Sequence, residues 1–271
     1  MLPKSAYLGD HNASAFQDPS VVHAYQYRPA YPPVVFDLLA TLLVDTPRRV
    51  LDIGCGTGAL ARHLVTLADQ VDAVDVSPAM IAQGRHLLHG DHPHLNWMVG
   101  RVEDVALVPP YALMTAGESL HWMDWDTLLP HLQTLLTPNA MLVILEIAYA
   151  PVPWSDALGM LIQQYSTIRD YQRIDLVAEL VRRGLFCVIG KLQTDPIPFT
   201  QPLDAYIESF HGRAAFSRAR MTSPDAHAFD QALRHLVSSV HPVQVEMSIM
   251  VDIVWGKPVR PDVGTALEWQ R

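Results

Sequence analysis

The run Val50-Leu51-Asp52-Ile53-Gly54-Cys55-Gly56-Thr57-Gly58-Ala59-Leu60 sets an acidic residue and three alternating glycines between an apolar, strand-like stretch and a helical pattern. Such a turn can take backbone angles closed to other residues and leaves no side chain between the chain and a ligand. At the C-terminal edge of a parallel sheet, open α/β folds bind nucleotides against turns of this kind. Gly54, Gly56 and Ala59 also satisfy the dinucleotide spacing G-x-G-x-x-G/A, with Asp75 close to the distance at which an acid meets a ribose. A pyrophosphate, however, favours helix-end N–H groups with no carboxylate beside them. Asp52, just ahead of the first glycine, suits an ammonium better than a phosphate, and a third glycine at position 58 points the same way.

Further along, other residues could bind or react. Asp75 ends an apolar run, where an ionised carboxylate can accept from both hydroxyls of one ribose. Gly117-Glu118-Ser119-Leu120-His121-Trp122 follows a fourth apolar run. His121 is of the type that takes a proton near neutral pH, and Trp122 offers a face to a cation, a contact worth roughly 1–2 kcal/mol when desolvated. His121-Trp122 also reads as a structural pair that shapes a pocket. Tyr206, His211, Arg213 and Ser217 are spaced to share one side of a helix, where Arg213 suits a carboxylate. A solvated helix face is the other reading of the same spacing. His86, His89, His92 and His94 repeat no metal-ligand spacing and are interrupted by Pro93, so they read as a helix end and loop.

VLDIGCGTG resembles motif I of the class I S-adenosylmethionine (SAM)-dependent methyltransferases. Glu118 to Trp122 resembles the "ALHW" segment of small-molecule members of the trans-aconitate and ubiquinone-biosynthesis groups, and Tyr25-Gln26-Tyr27-Arg28-Pro29-Ala30-Tyr31-Pro32 matches their tyrosine-bearing helix followed by "RPxYP". The resemblance covers Phe16 to Pro258. It implies a SAM site at Asp52, Gly54, Cys55, Gly56, Gly58, Asp75, Val76, Met80, Val102, Glu103 and Ser119, under a lid carrying Tyr25 and Arg28. Arg28 would pair with the methionine carboxylate, although the same segment also reads as an amphipathic helix packed on the sheet. Glu118, His121 and Trp122 would stand where donor meets acceptor, and Tyr31, Tyr206, His211 and Arg213 would read the acceptor. Relatives often show Gly-Asp-Ala-Glu-Asp where this chain has Gly100-Arg101-Val102-Glu103-Asp104. Arginine only donates, so Glu103 or Asp104 accepts from the adenine amine, or Arg101 stacks on the ring. Met80 and Val102 would sandwich it, or serve as plain core. The implied reaction is in-line methyl transfer to an oxygen, nitrogen or carbon nucleophile. Attack on another sulfonium carbon, or SAM binding without turnover, would use the same pocket.

The 271 residues are 49% hydrophobic, enough for one large domain. A formal charge of −9 without basic clusters disfavours nucleic acid, leaving a small molecule as the expected partner. Two cysteines make no disulfide framework, and the N-terminal MLPKSAYLGDHNAS lacks the pattern of a secretory signal; the expected home is cytoplasmic, with no membrane span and no metal. Oligomeric state is not readable from the sequence.

Alternation of short apolar runs with helical patterns predicts a Rossmann-like, seven-stranded α/β sheet with helices on both faces. Expected strands are 50–53, 71–76, 96–99, 112–116, 141–147, 188–193 and 244–255, and the resemblance implies that the last is antiparallel. Expected helices include 58–67, 79–88 with Ser77 as cap, and 170–184. The pair Pro138-Asn139 is expected to turn ahead of the fifth strand. Residues 16–33, 151–169 and 199–242 exceed the core sheet and would form a helical cap on the substrate side or pad the outside. Pro196, Pro198 and Pro202 would stiffen the approach to the last of these.

Overall fold

The computed structural model describes residues 9–169, 172 and 174–260. In chain order the elements are α1 (Asp10–Ala13), α2 (Pro19–Tyr25), α3 (Pro33–Leu42), β1 (Arg49–Ile53), α4 (Ala61–Leu64), β2 (Gln70–Asp75), α5 (Pro78–Arg85), β3 (Leu95–Val99), β4 (Tyr111–Gly117), α6 (Trp125–Leu135), β5 (Leu136–Tyr149), α7 (Ser155–Tyr165), α8 (Leu176–Arg182), β6 (Phe186–Gln193), β7 (Ile197–Pro202), α9 (Leu203–His211), α10 (Ser223–Ser238) and β8 (Gln244–Pro258). The sheet runs β3-β2-β1-β4-β5-β8-β6, with β7 beside β8. Strands β1 to β5 pair in parallel, and β8 enters antiparallel between β5 and β6.

Alternate residues of the central strands feed two cores. Leu51, Ile53, Leu142 and Ile144 face the layer holding α6 and α8, whereas Val50, Val143 and Leu145 face α3 and α4. Strands buried on both faces have to be apolar throughout, which is why the sequence shows continuous runs here. The buried exceptions include Asp52, Asp72 and Thr115. Asp72 accepts from the Tyr111 hydroxyl at 2.6 Å and from Asn96 Nδ2 at 2.9 Å, so its burial is compensated.

Several boundaries depart from expectation. The helix after the glycine turn is regular only over Ala61–Leu64, because Gly58 has φ +76° and a helix cannot propagate through it. Strand β2 ends at Asp75, leaving Val76 beyond it. Pro138-Asn139 does not precede β5 as a separate turn. It lies within β5, where the ladder jumps from Tyr111 opposite Leu136 to Leu113 opposite Met141. Helix α8 begins at Leu176, where Asp175 Oδ1 accepts from Ala178 N at 2.9 Å; the expected start near position 170 lies outside the described residues. Its end is as expected: Gly184 has φ +68°, and Leu185 N donates to Leu180 O at 2.9 Å.

The largest correction is β7. The proline-rich stretch is a strand paired to β8 from Ile197 opposite Ile249 to Pro202 opposite Gln244. Strand β8 is long enough that β6 covers only its C-terminal half, and β7 completes the other half as an edge where prolines are tolerated. Helices α7, α9 and α10 pack on one another around Trp154, Phe210 and Phe229. Among the described residues, no helix is long and apolar enough to cross a membrane.

Candidate functional site

A cavity of about 750 Å³ opens at the C-terminal edge of the sheet. Its floor is Gly54 and Gly56, its near side Asp75, Val76 and Met80, and its far side Glu118, Ser119 and Trp122. Val102 and Glu103 contribute from the loop after β3, and Tyr25 from α2. The topology explains the assembly, since β1, β2 and β4 are neighbours in the sheet and release their loops on one edge.

The turn after β1 is held by its own backbone. Cys55 N donates to Val74 O at 3.0 Å, and Gly56 N donates to Asp75 Oδ2 at 2.8 Å. Asp75 Oδ1 accepts from Ser77 N at 2.8 Å, which leaves each carboxylate oxygen a second acceptor site. Burial pushes this carboxyl up, and the two N–H donors oppose it. Gly54 has φ +65°, and a Cβ there would stand 2.5 Å from Ser119 Cβ. Ser119 in turn donates from Oγ to Ile53 O at 2.5 Å, so β1 and β4 meet backbone to side chain at the cavity floor. Gly54→Ala is expected to lose about 3 kcal/mol in urea unfolding, combining left-handed strain and overpacking. Gly184→Ala, at φ +68° with no atom within 4 Å, isolates the strain alone and is expected to lose about 1 kcal/mol.

Four expected cofactor residues lie elsewhere. Asp52 is 2% exposed beneath the turn, accepting from Thr115 Oγ1 at 2.8 Å and Ala61 N at 3.1 Å. Burial raises its pKa to about 7. It ties β1 to β4 and α4 and does not line the cavity. Cys55 turns into the core, where burial raises its thiol well above the ordinary range. Gly58 gives room to Trp97, whose Cη2 would lie 2.5 Å from an added Cβ. Arg28 is off the cavity wall, with Nη1 donating to Tyr25 OH at 3.2 Å and Nη2 to Gly212 O at 3.2 Å.

The reacting end also differs from expectation. His121 sits in the short 3-10 turn Leu120–Trp122 with its ring 4.8 Å from that of Trp122, and only Trp122 reaches the cavity. Glu118 has φ +55°, lines the cavity and accepts from Ile147 N at 2.6 Å through Oε1. The acceptor-reading residues divide. Tyr31 is buried, its hydroxyl 2.5 Å from where a Gly117 Cβ would stand, and burial raises its pKa well above the ordinary value. Tyr206 OH accepts from Trp154 Nε1 at 3.2 Å inside the helical cluster. His211 is fully buried between Phe216 O and Asp230 Oδ1, each 2.7 Å from a ring nitrogen. Arg213 lies over the Phe210 ring, 4.4 Å from its centroid.

Other walls were not named in advance. Phe16 meets Trp122 edge-on at 5.5 Å, and Ser14, Met123 and Asp124 also face the cavity, beside Gly100 and the Arg101 already weighed for the adenine. Gly100 N donates to Asp75 O at 2.9 Å, a strand-end contact that the glycine after β3 could have signalled. Arg101 Nη2 lies 3.6 Å from Glu103 Oε1, while Asp104, with its side chain 72% exposed, is off the wall. Glu103 is therefore the carboxylate that the loop brings to the cavity. Among the described residues no group of three His, Cys, Asp or Glu side chains could hold a metal. His92 and His94 touch edge to ring at 5.0 Å on the loop.

Residues 50–139 match a protein-family profile described as a methyltransferase domain. Over that segment the chain is similar to methyltransferases. It is 33% identical over 106 residues to a malonyl-[acyl-carrier protein] O-methyltransferase of Halalkalibacterium halodurans, covering 36% of this chain and 39% of that protein. It is 30% identical over 139 residues to the trans-aconitate 2-methyltransferase of Escherichia fergusonii, covering 50% of this chain and 52% of that one. The chain thus spans about half the length, or less, of these curated relatives. A solved structure of a putative type II methyltransferase from Anaeromyxobacter dehalogenans superimposes with TM-score 0.61 at 24% identity, covering 85% of this chain and 97% of that one. The fold is shared with that structure. The cavity walls present a carboxylate that keeps acceptor sites, an open glycine floor and an aromatic lip, a set that fits the methyl donor of a methyltransferase.

Proposed function

We propose that this chain is a SAM-dependent methyltransferase acting on a small molecule. The observation that carries the reading is the convergence of the Gly54–Gly56 floor, the Asp75 carboxylate and the Trp122–Phe16 lip on one cavity at the sheet edge. Asp75 would accept from the ribose hydroxyls, Glu103 from the adenine amine, and Met80 and Val102 would flank the ring. When bound, SAM supplies a methyl group on a sulfonium, whose sulfur–carbon bond breaks as the nucleophile–carbon bond forms.

The protein's own part is alignment and exclusion of water. Tyr25, pinned by Arg28, closes one side of the cavity, and Trp122 places an aromatic face at the other. A nucleophile with a proton to lose needs a base. Glu118, whose Oε1 accepts from Ile147 N and whose other oxygen takes no hydrogen bond among the described residues, is the carboxylate suited to take it. His121 does not line the cavity, so Glu118 takes the place of the base. Helices α7, α9 and α10, joined to the site through the Arg28–Gly212 bond, form the cap on the substrate side.

Mass spectrometry of the protein incubated with SAM and a small-metabolite extract tests this. The expected products are S-adenosylhomocysteine and a partner heavier by one methyl group. Methylthioadenosine would show that another sulfonium bond breaks, and binding with no SAM consumption would remove catalysis altogether.

A further inference from the structure

The charges on the cavity wall are lopsided. Asp75, Glu103, Glu118 and Asp124 bring four carboxylates to it, against the one guanidinium, that of Arg101, which lines it among the described residues. Arg101 is itself 3.6 Å from Glu103 and 3.9 Å from Asp104, so its charge is spent on the loop after β3. Arg28 stays behind the wall, its guanidinium 4.2 Å from the centroid of the Tyr25 ring. Sheet order divides the four acids into two pairs. Strands β3, β2, β1 and β4 are successive neighbours, so Asp75 and Glu103 lie on one side of the glycine turn. Glu118 and Asp124, both in the segment after β4, lie on the other.

With ribose and adenine on the first pair, the second pair faces the reacting end. Glu118 Oε1 accepts from Ile147 N at 2.6 Å and Asp124 Oδ2 from Thr127 Oγ1 at 2.7 Å. The other oxygen of each takes no hydrogen bond among the described residues. Aromatic rings complete this side. Phe16 meets Tyr25 edge-on at 6.3 Å and Trp122 edge-on at 5.5 Å, and all three line the cavity. Rings and carboxylates together attract an alkylammonium. SAM brings one net positive charge, its sulfonium, because its ammonium and carboxylate cancel. Two acids at the reacting end therefore accommodate a second cation, whereas an anionic acceptor would meet like charges with no basic side chain beside them on the wall.

We infer that the acceptor is an alkylamine, which arrives as its ammonium between Glu118, Asp124 and the Phe16 and Trp122 rings. The inference rests on the reading of this cavity as the methyl-transfer site. The ammonium gives one proton to the unbonded oxygen of Glu118, which frees the nitrogen lone pair. That pair forms the nitrogen–carbon bond as the carbon–sulfur bond breaks, and the electrons of the broken bond stay on sulfur as a neutral thioether. The product leaves as the methylated ammonium, and the proton on Glu118 returns to solvent.

Calorimetric titration of the full chain, saturated with S-adenosylhomocysteine, tests this with benzylamine and hexylamine. Benzyl alcohol, hexanol and benzoate are the neutral and anionic contrasts. At least one amine is expected to bind about tenfold tighter than its alcohol, or more, and benzoate more weakly than benzyl alcohol. Glu118→Gln and Asp124→Asn keep the side-chain shapes. Each is expected to weaken that amine by about three- to thirtyfold while the alcohol changes by less than about twofold. Trp122→Leu should weaken benzyltrimethylammonium, which offers no N–H, by about three- to thirtyfold. The inference is overturned if no amine binds, if alcohols match amines or if benzoate is preferred. It is overturned equally if both acid variants keep the amine-to-alcohol ratio, or if the Trp122 variant binds the quaternary probe as the wild type does. Failure of S-adenosylhomocysteine to bind the wild-type protein would instead overturn the methyltransferase reading. The amine-to-alcohol ratio, measured without it, still decides the charge preference of the Glu118–Asp124 wall.

Discussion

Replacing Asp75 with alanine is expected to weaken SAM binding by about thirty- to a thousandfold while the protein stays folded. Two charge-assisted hydrogen bonds to ribose hydroxyls are together worth about 2–4 kcal/mol after desolvation. Asp75 also accepts from Gly56 N and Ser77 N, so the substitution releases two donors at the cavity rim. A loss of about 1–2 kcal/mol in stability should accompany the loss of affinity, because those donors can turn to water. Calorimetry with SAM gives the affinity, and urea unfolding of the same variant gives the stability. Unchanged affinity would remove Asp75 from the site, whereas global unfolding would show that its main task is to hold the glycine turn.

The second large effect is a pH dependence. Asp52 has its pKa raised to about 7 from an ordinary 3.8, with burial as the first cause. Below the ordinary value both folded and unfolded forms are neutral, and the residue carries no penalty. As the pH rises toward 7 the unfolded chain ionises and the folded one does not, so stability falls by about 1.4 kcal/mol per pH unit. Above about 7 both forms are ionised and the loss levels off. The total is on the order of 4 kcal/mol. Asp52→Asn removes the titration and keeps both contacts, with Nδ2 donating to Thr115 Oγ1 and Oδ1 accepting from Ala61 N. Urea unfolding of the two proteins from pH 4 to 8 should therefore show the variant gaining on the wild type up to neutrality. Parallel curves would mean that Asp52 ionises freely in the folded state.

The glycine turn and the strand ends were legible because they depend on local rules. Alternate glycines after an apolar run permit a backbone that few other sequences can follow, and Ser77-Pro78 caps α5 as its composition requires, with Met80 N donating to Ser77 Oγ at 3.2 Å. The order of apolar runs likewise gave the parallel sheet. Strand β7 was hidden because prolines normally argue against a strand; only the unpaired half of β8 makes that segment one.

Side-chain roles were less legible, and the failures share a cause. Asp52 and Asp75 are both acids at strand ends beside the same turn, yet one is buried and the other lines the cavity. What separates them is Thr115 on β4, whose hydroxyl claims Asp52 from 63 positions away. His211 and Tyr206 sit on a helix face that reads as polar, and both point inward because Asp230 and Trp154 are waiting there. Arg213, two residues beyond His211, instead lies over the Phe210 ring.

The sequence alone determined the parallel α/β sheet, the glycine turn and the placing of Asp75 at a strand end. Each follows from backbone freedom, capping or hydrophobic periodicity over a few neighbouring residues. Only the tertiary structure decided which polar side chains are spent inside the fold and which face the cavity. A buried polar group must be paired, and its partner comes from whichever distant element packs against it.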